Sequence, residues 1–230
     1  MQNPLTFIKK STYTIRFELF FFSLIAVLFG SLLVPNPYFV DYILPVLLLI
    51  NLASGVLLVI KKRNILFFFL LLFIVGIGFY VFRVNTDFSS GSQIQLGRLG
   101  LYALFYATVT VEIIKQVWFA KRVNKTVIIG LMTGYLSLGL LAFFIFMTIE
   151  MTAPNSFEGL LMASNSIEDK MDALMYYSYI TLLTIGYGEI IPVTPIAQKA
   201  AILTGLMGQF YIVIITAVVV EKYVSHSKNI

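Results

Sequence analysis

Residues 181–189 read Thr-Leu-Leu-Thr-Ile-Gly-Tyr-Gly-Glu, and the meaning of this loop decides how the rest of the chain folds. It lies between two long apolar stretches, one ending near Ile149 and one beginning near Pro195. Glycines on both sides of a tyrosine let adjacent peptide units aim their carbonyls at one axis, which needs dihedrals that residues with a Cβ resist. Irregular backbone at membrane depth is tolerated only where protein buries it or where it lines a pore. The loop therefore predicts its own burial by further subunits.

The composition is that of an integral membrane protein. Its 59% hydrophobic content, 12% charged content and mean hydropathy of +0.92 lie far from soluble averages. No small-residue cleavage site follows the first apolar run, so a cleavable leader is not expected. With no cysteine, disulfides and thiol chemistry are excluded. His226 is the sole histidine, which argues against a metal centre or histidine-based catalysis. No paired buried carboxylates, catalytic dyad or phosphate loop can be read, so neither an enzyme nor a bound cofactor is expected. The net charge of +5 could suggest nucleic acid, but the placement of the basic residues points elsewhere.

A spanning helix needs about 20 mostly apolar residues. Six stretches are expected to span: Phe17–Val34, Tyr38–Ile60, Ile65–Val84, Leu99–Phe119, Val127–Ile149 and Pro195–Tyr223. Pro35-Asn36-Pro37 separates the first two, Lys61–Asn64 the second and third, and the polar run Asn85–Gln95 the third and fourth. Between the fifth and sixth, Met171–Leu183 is apolar but too short to cross, as expected of a re-entrant helix. Ser166 with Asp169 resembles a capping signal for its start. Thr194-Pro195 supplies an N-cap and first-turn proline for the last helix.

Alternating the spans places Lys9, Lys10, Arg16, Lys61, Lys62, Arg63, Lys115, Lys121, Arg122, Lys125, Lys222 and Lys228 on one side. Arg83, Arg98, Lys170 and Lys199 fall on the other, a division of 12 against 4 that makes up all 16 basic residues. By the positive-inside rule the richer side is cytoplasmic. Both termini are then inside, in a multi-pass cell-membrane protein, and the 181–189 loop enters from outside. Most acids, including Asp41, Asp87, Glu150, Glu158, Glu168, Asp169, Asp172 and Glu189, fall on the outer side, where carboxylates can raise the local cation concentration.

Residues 170–223 resemble the pore region of tetrameric potassium channels. The resemblance implies an all-α membrane protein of six transmembrane helices plus a re-entrant pore helix and filter loop. It divides the chain into residues 1–119, a four-helix N-terminal domain, and 120–230, a pore domain. Within the pore domain it implies an outer helix at 127–149, a pore helix at 171–183, a filter at 184–189 and an inner helix at 195–223. One chain supplies one loop, so a homotetramer in the lipid bilayer is implied. The filter would be Thr184, Ile185, Gly186, Tyr187 and Gly188. The Thr184 hydroxyl and the carbonyls of Thr184, Ile185, Gly186 and Tyr187 would replace the hydration shell of K+, the permeant ion.

Thr181 begins the family's Thr-x-x-Thr pattern, and Leu183 departs from it where many relatives have threonine. Tyr176 and Tyr177 stand where relatives carry an aromatic cuff around the filter tyrosine, although tyrosines also mark membrane interfaces. Glu189 replaces the usual aspartate at the outer mouth. Ile180 replaces a glutamate that pairs with that acid in some relatives, so that pairing cannot form. The C-terminus of the pore helix is expected to present negative potential to a cation in the inner cavity.

In the family a glycine of the inner helix permits the bend that opens the pore. Gly205 and Gly208 are candidates for this hinge, Gly208 by its offset from the filter; close packing through small residues is the alternative. Thr216 and Ala217 are expected at the inner vestibule, and Gln209 to face protein rather than lipid. A voltage sensor needs several charges on the fourth helix, since each yields about 2.3 kcal/mol per 100 mV. That helix offers only Arg98, Glu112 and Lys115, so little intrinsic voltage dependence is expected. Residues Ile113–Thr126 are basic and carry Trp118, consistent with an interfacial linker or with an ordinary loop. The expected function is a potassium-selective channel. The alternatives are a weakly selective cation channel, a transporter subunit, or a non-conducting regulatory subunit.

Overall fold

In the computed structural model, residues 16–34, 38–60, 62–85, 92–120, 124–160 and 167–227 are described. The Pro35–Pro37 turn, the Ser166 cap and the basic residues Lys9, Lys10, Lys61, Lys121, Arg122 and Lys228 lie outside them, as do the side chains of Asp41, Arg83, Glu168, Lys222 and His226. The helices are α1 (Arg16–Phe29), α2 (Leu44–Val59), α3 (Arg63–Asn85), α4 (Ser92–Trp118), α5 (Lys125–Thr152), α6 (Ile167–Leu182) and α7 (Pro195–Ser227). A short 3-10 turn, Gly30–Leu32, ends α1, and a π-helical turn, Phe39–Ile43, leads into α2. Pro45 sits in the first turn of α2. Its ring would clash with the carbonyl four residues back in a regular helix, and the wider π turn removes that clash.

Among the described residues, four helices are long and apolar enough to cross a membrane: α3, α4, α5 and α7. Those four match four of the six expected spans. At 14 and 16 residues, α1 and α2 fall short by themselves. The fourth helix begins at Ser92, not Leu99, so Gln93 and Gln95 belong to it rather than to the polar run before it. Of the stretch 113–126, residues 113–118 complete α4, and residues 121–123 lie outside the described residues. Ile113 and Val117 are buried, whereas Lys115, Trp118, Phe119, Asn124 and Lys125 are exposed.

The chain forms two compact units. The first comprises 1–86, 108–134 and 219–230; the second comprises 87–107 and 135–218. In the first, α1 buries Phe17, Phe20, Leu24 and Val27, a spacing that makes one helical stripe. That stripe packs on α2, and α3 packs on another side of α2. The Asn51 amide of α2 donates to the Ser23 hydroxyl of α1 at 2.7 Å, satisfying two polar groups that lipid could not. On α3, Phe69 and Leu72 are buried, while Phe67, Leu71 and Ile74 present an apolar surface suited to lipid.

One end of this first unit gathers the charges. The buried Glu112 of α4 pairs with Lys62 before α3 and with Lys115 one turn along, at 3.6 Å for the latter. Arg16 at the start of α1 donates to Gln116 at 3.1 Å, and Gln116 donates to the Leu58 carbonyl near the end of α2 at 3.0 Å. Lys125 at the start of α5 lies 3.7 Å from Glu18. The first end of α1, the last of α2, the first of α3, the last of α4 and the first of α5 therefore share one end of the unit. That is the strict alternation the distribution of basic residues requires.

In the second unit, Phe144 of α5 stacks on Tyr102 and Tyr106 of α4, with centroids 5.2 and 5.5 Å apart. Gly139 of α5 lies where any Cβ would overlap the Tyr179 ring. The Tyr179 hydroxyl of α6 donates to the Leu136 carbonyl at 2.7 Å, pinning α6 to α5. At 16 residues α6 is about 24 Å long, short of the roughly 30 Å hydrocarbon core. Its start, at 167 rather than 171, adds a charged turn to the expected pore helix.

Two short strands close the excursion of the chain between α5 and α7. Phe157–Glu158 (β1), just after α5, pairs antiparallel with Ile191–Pro192 (β2), just after the 183–190 loop, Phe157 opposite Pro192. Both ends of the α6–loop excursion thus return to the end of the unit where α5 stops. Nothing in the alternation of hydrophobicity announced these strands.

Candidate functional site

The 183–190 loop starts from the last turn of α6. The amides of Leu183, Thr184 and Ile185 donate to the carbonyls of Tyr179, Thr181 and Ile180 at 2.8, 3.0 and 2.8 Å. These bonds consume the orphan carbonyls of the helix end and turn the loop's own N–H groups back into protein. The Leu182 carbonyl accepts from the Tyr135 hydroxyl at 3.2 Å. The negative end of α6 is therefore satisfied within the chain by hydrogen bonds.

Beyond that turn the backbone alternates. Thr184, Gly186 and Gly188 have φ of +57°, +56° and +94°, whereas Ile185 and Tyr187 do not have positive φ. In an ordinary strand with every φ negative, successive carbonyls point to opposite sides; alternating the sign of φ turns them toward one side. Glycine accepts positive φ freely. Thr184 does not: a β-branched residue there is an outlier whose strain is of order 1–3 kcal/mol. Its hydroxyl donates to the Leu183 carbonyl at 2.7 Å and accepts from Nε2 of Gln209 on α7 at 3.2 Å. Gln209, exposed within the chain, is thus turned toward the loop.

Residues 183–189 are all exposed in the single chain, Tyr187 to 73%. The Tyr176 hydroxyl donates to the Glu189 carboxylate, which pushes the tyrosine up to about 12, and Tyr187 lies close enough to add to the shift. Tyr177 instead turns inward. It packs against Phe146 and Phe157 with centroids 5.1 and 5.5 Å away, and hydrogen-bonds to Thr181. Of the two tyrosines, Tyr176 alone lies beside Glu189 and Tyr187. Ile180 is buried.

Residues 131–225 match the family model described as ion channel. The match begins within α5 and takes in α6, the loop and most of α7; the first four helices lie outside it. No curated protein and no solved structure matches the chain significantly. The comparison supports an ion-channel family, a membrane protein and passive ion conduction for this part of the molecule, and leaves the ion and the number of subunits open.

The matched region contains residues whose roles the sequence alone does not reveal. Glu150, grouped above with the outer acids, is only 3% exposed. Its carboxylate accepts from the amides of Asn155 and Ser156 at 3.2 and 3.0 Å and from the Lys170 ammonium of α6 at 3.0 Å. Ser156 in turn accepts from the Val193 amide at 2.9 Å and from the Thr194 hydroxyl at 3.0 Å, beyond the loop. Gly159 has φ +87°, and a Cβ there would overlap the Glu189 carbonyl. Together these contacts brace the Glu189 end of the loop from α5 and α6. The signal available in sequence was position: Glu150 continues the apolar stretch Val127–Ile149, whereas Glu168, Asp169 and Asp172 cluster in a polar run.

Glu150→Gln is expected to lower stability by about 2 kcal/mol, measured by thermal unfolding of the purified protein. Removing one member of a buried pair leaves the other uncompensated at about 3–5 kcal/mol, reduced here because Lys170 is 31% exposed. An unchanged unfolding temperature would show the brace to be incidental.

Gly208 has a packing role. A Cβ on it would overlap the Leu182 carbonyl, whereas Gly205 has only the Thr181 carbonyl at 4.0 Å.

Proposed function

We propose that the chain is a potassium-selective channel in which four copies surround one axis, passing K+ passively from an outer mouth at Glu189 to a vestibule between the α7 helices. The observation that carries this reading is the alternating φ of Thr184, Gly186 and Gly188, in the sequence Thr-Ile-Gly-Tyr-Gly at the end of a re-entrant helix. Carbonyls of residues 184–187 turned to one side form part of a cage that substitutes for a hydration shell, and sites in series permit knock-on conduction.

The exposed surface supports the four-copy arrangement. In the described part of α7 one stripe, Ala197, Thr204, Gly208, Tyr211 and Ile215, is buried in the chain, while Leu206, Phe210 and Val213 are exposed. An exposed loop of Ile185 and Tyr187 fits burial by neighbouring copies. The excess of basic residues at the charged end of the first unit supports placing both termini in the cytoplasm.

Bi-ionic reversal potentials of purified, reconstituted protein test the proposal. Reversal close to the potassium potential is expected; equal permeability to sodium would favour the weakly selective alternative, and silence of the chain alone the regulatory one. The same recordings test gating. Glu112 and Lys115 of α4 are paired with each other, leaving no ladder of charges to move. A shallow conductance–voltage relation is expected, and a steep sigmoid like that of a charged sensor would refute it.

A further inference from the structure

We propose that Gln209 is a positioning residue for the innermost ion ligand, the Thr184 hydroxyl, and thereby sets how tightly the inner end of the filter holds a cation. This rests on the potassium-channel reading of the loop.

A hydroxyl has one proton and two lone pairs. At Thr184 the proton goes to the Leu183 carbonyl at 2.7 Å and one lone pair accepts from the Gln209 amide at 3.2 Å. One lone pair remains, and because both other directions are fixed, its direction is fixed too. Without the Gln209 contact the hydroxyl rotor is held at one point only.

The backbone needs the same support. A threonine at φ +57° persists only where its surroundings over-determine it. The turn of α7 at residues 208–211 supplies them. Gly208 lies against the Leu182 carbonyl, and the Tyr211 ring lies 5.5 Å from that of Tyr135, whose hydroxyl donates to the same carbonyl. These contacts locate the end of α6, and Gln209 extends the grip one step further to the ligand oxygen itself. An amide on a mostly apolar helix, exposed within its own chain, is costly in lipid. Its bond to Thr184 makes it useful at the top of a vestibule.

Barium is the probe, because it is a divalent cation close to potassium in size that lodges in such a cage and blocks it. Applied from the side of the α7 C-terminus to reconstituted full-length channels, it should block Gln209→Leu about tenfold more weakly than wild type. In a Thr184→Ala background, which lacks the hydroxyl, Gln209→Leu should change block less than twofold. Calorimetric binding of barium replaces block for any variant that carries no current. If Gln209→Leu does not assemble, Gln209→Met, unbranched and similar in length, makes the same comparison.

Unchanged barium affinity, or an equal loss in both backgrounds, overturns the proposal and leaves Gln209 a packing residue. Absence of potassium current from the wild type would overturn the reading of the loop instead, so the two failures are distinguishable.

Discussion

Gly188→Ala is expected to abolish potassium-selective current while leaving a folded, assembled protein. Gly188 has φ +94° and no atom within 4 Å of where a Cβ would stand, so the effect is conformational and not a collision. The left-handed well open to residues with a side chain lies near +50 to +70°; alanine at +94° is outside it. Strain of about 1–3 kcal/mol is small beside the roughly 5–15 kcal/mol that hold a domain together, so the chain should fold. It should relieve that strain by rotating about the N–Cα bond of residue 188. That rotation swings the peptide plane carrying the Tyr187 carbonyl, one of the proposed ligands, and in a symmetric pore every copy swings at once. Gly186, at +56°, lies within the alanine-accessible well, so Gly186→Ala should retain more current than Gly188→Ala. Size-exclusion chromatography with light scattering would establish assembly, and planar-bilayer recording the current. Selective current persisting in Gly188→Ala would remove the case that backbone conformation forms the filter.

Part of the loop was legible because its chemistry is local: the glycines at 186 and 188 permit the positive φ found there, whereas the positive φ of Thr184, a β-branched residue, could not be read from its side chain. The alternation of helices was legible too, because charge asymmetry between ends is a property of composition, and Arg16, Lys62, Lys115 and Lys125 do meet at one end of the first unit. The bounds of α4 and α6 were not. Both begin in polar turns, Ser92–Arg98 and Ile167–Lys170, which hydropathy alone assigns to loops. For α6 the tertiary partner that holds the turn is visible, the Glu150–Lys170 pair, and it joins residues 20 apart. The β1–β2 pairing is hidden for the same reason: two residues on each side carry no periodicity, and only the return of the chain brings them together. The apolar runs Phe17–Val34 and Tyr38–Ile60 likewise do not reveal the 3-10 turn that ends α1 or the π turn that leads into α2.

Gly208→Ala and Gly205→Ala are expected to change stability in opposite directions, which separates the two readings of these glycines. Both lie in the interior of α7, where alanine is intrinsically favoured over glycine by about 1 kcal/mol. At Gly205 the nearest atom to a Cβ is the Thr181 carbonyl at 4.0 Å, so that gain should appear as a raised unfolding temperature. At Gly208 the Cβ would overlap the Leu182 carbonyl and crowd its side chain at 3.2 Å. Backbone cannot rotate aside as a side-chain tip can, and Leu182 is tied to Tyr135, so α7 must shift away from the end of α6. Overpacking of this kind costs about 1–3 kcal/mol, more than the helix propensity returns, and a net loss of about 1–2 kcal/mol is expected. The same shift would draw Gln209 off Thr184, so weakened barium block should accompany the lost stability. If Gly208 served only as a flexible joint, Gly208→Ala would instead stabilise the protein as Gly205→Ala does, alter opening alone, and leave the block untouched. Thermal unfolding and barium titration of the two variants side by side therefore decide whether residue 208 is glycine for approach or for bending.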